Sequence, residues 1–90
     1  MKTPFRDHVM GVIVQYRDSI EAGHFEEVDE ALGQRRWEET TGIVPPVPES
    51  ITEKASGFFD DLHGAVANRD RESAVAIIER IRRWLHNIAL

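Results

Sequence analysis

Apolar residues recur along this chain at spacings of three and four, the period of a helix with one buried face, and no run alternates strictly enough to form a strand. Phe5, Val9, Val12, Ile13, Tyr16 and Ile20 share one face of a helix predicted over residues 4–22. Thr3 can cap its free amides, and Pro4 suits the first helical position, where an N–H would have no partner anyway. Gly23 is the predicted stop, because glycine enters the left-handed C-terminal cap without steric cost. A second helix starts near His24 or Phe25 and buries Phe25, Val28, Ala31 and Leu32. Gly33 weakens it by about 1 kcal/mol relative to alanine, so it either ends there or runs on through Trp37 to Thr41.

The segment Gly42 to Pro48, GIVPPVP, interrupts the helical pattern, since consecutive prolines favour an extended polyproline conformation. Ser50 and Glu53 then form a capping box, with Val47 or Pro48 available as a hydrophobic staple. The third helix carries Ile51, Ala55, Phe58, Phe59, Leu62 and Val66 to about Asn68. Asn68 or Asp70 caps a fourth, on which Ala74, Ile78, Ile81, Leu85 and Ile88 alternate at spacings of four and three, widened by Ile77 and Trp84. The expected fold is all-α, a single-domain four-helix bundle of two antiparallel hairpins, 4–41 and 50–89, joined by a proline-containing connector at 42–49.

Two local similarities bear on this reading. From Tyr16 to Leu32, with the run EAGHFEEVDEAL, the chain resembles the turn of a tetratricopeptide-type hairpin, in which a small residue, glycine and an aromatic join two helices. The resemblance implies a helical hairpin and nothing about function. Arg-Arg-Trp occurs in both halves, at Arg35 to Trp37 and at Arg82 to Trp84, but a shared tripeptide is expected by chance and is not read as a repeat.

At 90 residues and 10.3 kDa the chain is long enough for one core, burying about 64% of its extended-chain surface. Its 41% apolar and 30% charged residues match an ordinary soluble globular domain. The absence of cysteine removes thiol catalysis, disulfides, iron-sulfur ligation and thiolate zinc sites. The longest apolar stretch, Val9 to Val14, is far short of the roughly 20 residues of a membrane span. Met1 to Asp7 lacks the apolar core of a signal peptide, so a cytoplasmic location is expected.

The net charge of -5 is unevenly spread: residues 1–41 carry -4, residues 42–61 carry -3 and residues 62–90 carry +2. An acidic body argues against generic binding to nucleic acid or anionic membrane and suits a protein partner with a basic surface. The candidate binding residues are the acidic cluster Glu26, Glu27, Asp29 and Glu30, and the neighbouring Arg35, Arg36 and Trp37, an arginine and aromatic mixture enriched at interface hot spots. Neither metal nor other cofactor is expected. Glu21 and His24, like Asp60 and His63, have the Glu-x-x-His type of spacing used by helical di-iron sites, but Gly23 breaks the first pair's shared face. No carboxylate or histidine falls in an apolar stripe where catalysis would need it, His8 and His63 lie at stripe edges, and no nucleophile elbow or phosphate loop occurs, so no catalytic residue is assigned.

The leading functional expectation is a non-enzymatic acidic module that inhibits or regulates a larger protein by occupying its surface. Immunity, antitoxin and phage anti-defence proteins offer an analogy of size and charge. A helical accessory subunit of a multicomponent enzyme is the first alternative, and a DNA-binding regulator using Arg69, Arg71, Arg80, Arg82 and Arg83 is the second. A homodimer is expected through the wide stripes of the first or fourth helix.

Overall fold

The computed structural model describes residues 4–34, 37 and 49–88. Among them are four helices, α1 (Pro4–Glu21), α2 (Phe25–Gly33), α3 (Glu49–Ala67) and α4 (Arg71–Asn87), and no strand. Each helix packs on two others in a closed ring, α1 on α2 and α4, α3 on α2 and α4. The result is the all-α four-helix bundle that the hydrophobic period predicts. Thr3, the Phe5 side chain, Arg35, Arg36 and residues 38–48, which include the expected connector up to Pro48 and its staple, lie outside the described residues.

Both hairpins turn in the same way. After α1, Gly23 adopts φ 85°, its N–H donates to the Ile20 carbonyl at 3.0 Å, and the His24 N–H donates to Ser19 at 2.8 Å. After α3, Arg69 adopts φ 56°, with its N–H bonded to the Val66 carbonyl at 3.0 Å and the Asp70 N–H to Ala65 at 2.9 Å. These are the paired bonds of a Schellman cap. The left-handed conformation costs a residue with a Cβ roughly 1–2 kcal/mol. Arg69 offsets part of that cost by donating from its guanidinium to the Val66 carbonyl at 3.1 Å and lying 5.8 Å from the centre of the Phe25 ring.

The helix starts differ from one another. Asp70 caps α4, accepting from the Ser73 N–H at 3.1 Å and from its hydroxyl at 2.7 Å. The Ser73 hydroxyl first, and its N–H second, hold the Asp70 carboxyl below its ordinary value of 3.8. This stabilisation is therefore complete above that value and is lost as the pH falls through the depressed one. Ser50, by contrast, is not the cap of α3. The helix already includes Glu49, whose carboxylate suits the positive end of the helix dipole, so Ser50 has helical backbone and cannot serve as N-cap.

The core draws on every helix, and its pattern reveals a repeat. Val9, Ile13, Tyr16, Ile20, Val28 and Leu32 are buried, and so are Ala55, Phe59, Leu62, Val66, Ala74 and Ile78, each 46 positions after its counterpart. The seams between hairpins obey the same relation: Arg17 of α1 meets Glu79 of α4 at 3.3 Å, while His63 of α3 stands against Gly33 of α2. Arg-Arg-Trp recurs at a spacing of 47 and is out of register with this repeat. The α4 stripe of Ala74, Ile78, Ile81 and Leu85 is buried within the chain itself. Those side chains already have partners in the core.

Helix α2 ends at Gly33, with the Gln34 N–H closing on the Glu30 carbonyl at 3.0 Å. A Cβ at Gly33 would meet only His63 Cε1, at an ordinary 3.8 Å. Gly33→Ala should therefore raise stability in urea titration by about 0.5–1 kcal/mol. Gly23→Ala should lower it by about 1 kcal/mol, because its left-handed backbone disfavours a side chain.

Candidate functional site

The seam between α1 and α2 opens into a groove of about 400 Å³. Val12 and Tyr16 of α1 and Val28 and Ala31 of α2 line it with apolar surface. Gln15 and Ser19 on one side, and Glu27 and Glu30 on the other, supply its polar groups. Val14, the one large hydrophobic that is exposed among the described residues, at 51%, lies on α1 away from this groove.

Helical geometry divides the predicted acidic cluster in two. At 100° per residue, Glu27 and Glu30 fall on the α1-facing side of α2 and Glu26 on its outer side, whereas Asp29 falls on the edge toward α3. The first three are exposed. Glu30 accepts from the Gln34 side chain at 3.3 Å, and Glu27 lies 4.0 Å from His24 Nδ1. Asp29 does not belong to this face. Its Oδ1 accepts from His63 Nε2 at 2.6 Å and its Oδ2 lies 4.0 Å from Arg69, so it links α2 to the second hairpin.

Trp37 also leaves the surface. Its side chain is 2% exposed and stacks on Phe59, with ring centres 4.6 Å apart and planes 13° from parallel, while its carbonyl accepts from His8 Nε2 at 3.2 Å. A side chain so enclosed cannot anchor a partner, and the hot-spot reading of Trp37 is corrected accordingly. Arg35 and Arg36 lie outside the described residues.

The other sequence candidates resolve locally. The turn at Gly23 separates Glu21 from His24, and His63 of the Asp60 and His63 pair is bonded to Asp29. Among the described residues, no three metal-ligating side chains converge. None of the described helices is long and apolar enough to cross a membrane. Of the arginines considered for a duplex, Arg69 is tied to Val66 and Asp29, and Arg82 Nη1 lies 3.7 Å from Glu79. The groove itself was not visible in the hydrophobic pattern, since Val12 and Ala31 look there like ordinary stripe residues.

A double-mutant cycle with Asp29→Ala and His63→Ala, read by urea unfolding, should give a coupling of roughly 0.5–1.5 kcal/mol. Zero coupling would return Asp29 to the exposed acidic face.

Comparison of the chain with protein-family models, with curated proteins and with solved structures found no match.

Proposed function

We propose that this chain is a non-enzymatic protein-binding module that regulates or inhibits a larger protein by placing the acidic α1/α2 face on a basic part of its surface. One observation carries the reading: the α1/α2 groove has an apolar floor, and the charged members of its lining are Glu27 and Glu30, with exposed Glu26 beside them. Apolar area enclosed by a polar rim is the anatomy of a protein interface. A single sign of charge on that rim steers a partner of opposite sign and excludes partners of like sign. The net charge of -5 extends the same preference over longer range. Asp29 and Trp37 are engaged inside the fold, so the binding face consists of Glu26, Glu27, Glu30 and the groove.

The test is affinity capture from the source cell followed by binding kinetics with the captured protein. Replacing Glu26, Glu27 and Glu30 by lysine should slow association and flatten its salt dependence, because rim charges act mainly on the encounter rate. Replacing Glu26 and Glu27, in the first turn of α2, also removes a favourable dipole interaction of roughly 0.3–1 kcal/mol each, so helicity is checked by circular dichroism. Unchanged association rate and affinity would overturn the reading. Loss of binding on Arg80→Glu and Arg83→Glu, with the acidic replacements silent, would move the interface to α4.

A further inference from the structure

The internal repeat supplies a control for the groove. Positions 46 apart are equivalent, so the α3/α4 seam shows which side chains the second hairpin places where the first has its groove. Phe58 stands where the first hairpin has Val12, and Ile77 where it has Ala31. Both larger side chains pack against the core, and the Phe58 ring lies 5.5 Å from that of Trp84. In the first hairpin the smaller pair leaves the 400 Å³ groove. The polar positions differ in the same comparison: Glu27 and Glu30 correspond to Ser73 and Ala76. The open seam thus combines reduced side-chain volume with two carboxylates, and no basic side chain lines it among the described residues.

We propose that this groove receives an arginine side chain from a segment of the basic protein partner. The proposal rests on the binding reading above and adds the chemistry and place of the anchor. The arginine methylenes lie along Val12, Val28 and Ala31, where they exchange water for apolar contact. Its guanidinium reaches Glu27 and Glu30, whose carboxylates suit a planar fork of donors better than a point charge. Gln15 and Ser19 offer further oxygen acceptors on the α1 side. A purely aliphatic anchor would leave the two carboxylates beside apolar surface without a counter-charge, which is unfavourable. Charge and shape therefore select the same occupant.

The probe is a capped helical peptide with leucine and arginine on one face, compared with the same peptide carrying citrulline in place of arginine. Titrated into isotopically labelled protein, the arginine peptide should give saturable amide shifts at Val12, Gln15, Ser19, Glu27 and Ala31. The citrulline peptide should bind at least about tenfold more weakly, equivalent to roughly 1.4 kcal/mol. Val12→Phe combined with Ala31→Ile fills the groove with the residues of the second hairpin. This variant should melt at a higher temperature and lose the shifts. Glu27→Gln with Glu30→Gln leaves the groove open and should weaken the peptide by a similar factor, which keeps the test decisive if the filled variant fails to fold.

Equal binding of the two peptides, or unchanged arginine-peptide affinity in the filled variant, overturns the arginine anchor. So do shifts that spread to Glu53, Asp60 and Asp61 without saturating. If the filled variant still binds the captured partner while the lysine replacements at Glu26, Glu27 and Glu30 do not, the anchor is wrong and the acidic-face reading stands. If neither set of changes affects that partner, both fail.

Discussion

Phe59, enclosed at the middle of α3, is the contact on which the rest of the bundle depends. Trp37 stacks on its ring at 4.6 Å and Tyr16 meets it edge-on at 6.4 Å, with planes 89° apart. The three rings join α1, α3 and the chain beyond α2, elements far apart in sequence. Burying a side chain of Phe size stabilises by roughly 1.5–3 kcal/mol, and an aromatic pair adds about 0.5–1.5 kcal/mol. Against a net stability of about 5–15 kcal/mol for a domain, this cluster is a large share. It also shapes the surface. With Trp37 held against Phe59, the first hairpin presents its acidic helix and the open seam, and the aromatic anchor expected among the arginines is absent from that face.

Around this centre the two hairpins use one plan with different fillings. Equivalent positions are buried in both, and both turn through a Schellman cap. In the second hairpin, the larger Phe58 and Ile77 hold the equivalent positions and pack against the core. In the first, Val12 and Ala31 leave the seam open beside Glu27 and Glu30. An unfilled seam forgoes dispersion contacts that larger side chains would make. Sites that bind commonly sacrifice stability in this way. The seams between hairpins carry polar links, Arg17 with Glu79 and Asp29 with His63, which hold the two halves in register.

Much of this fold was legible in the sequence, and the parts that were not have definite physical causes. The stripe residues, the Gly23 stop and the Asp70 cap follow from local rules of period and backbone geometry, and they hold. Arg69 was hidden because its left-handed turn lacks glycine and is supported by contacts with Val66 and Phe25, which only the fold brings together. Ser50 misled because a good capping residue sits one place inside a helix that starts at Glu49. Asp29 was grouped with its acidic neighbours by proximity along the chain, although the helical turn aims it at His63. The repeat was obscured because its matching positions share burial and not residue type, while the conspicuous Arg-Arg-Trp is displaced by one residue. The groove is a difference in volume between two seams, visible only once the hairpins are compared in space.

Trp37 belongs to the core with Phe59, which leaves the acidic seam as the proposed binding face. Trp84→Phe makes Trp37 the sole tryptophan, so fluorescence then reports on that side chain alone. A buried Trp37 gives a blue-shifted emission that resists acrylamide quenching and moves to the red only as the protein unfolds. Emission at the solvent-exposed wavelength, quenched in native protein as readily as in denaturant, would contradict it.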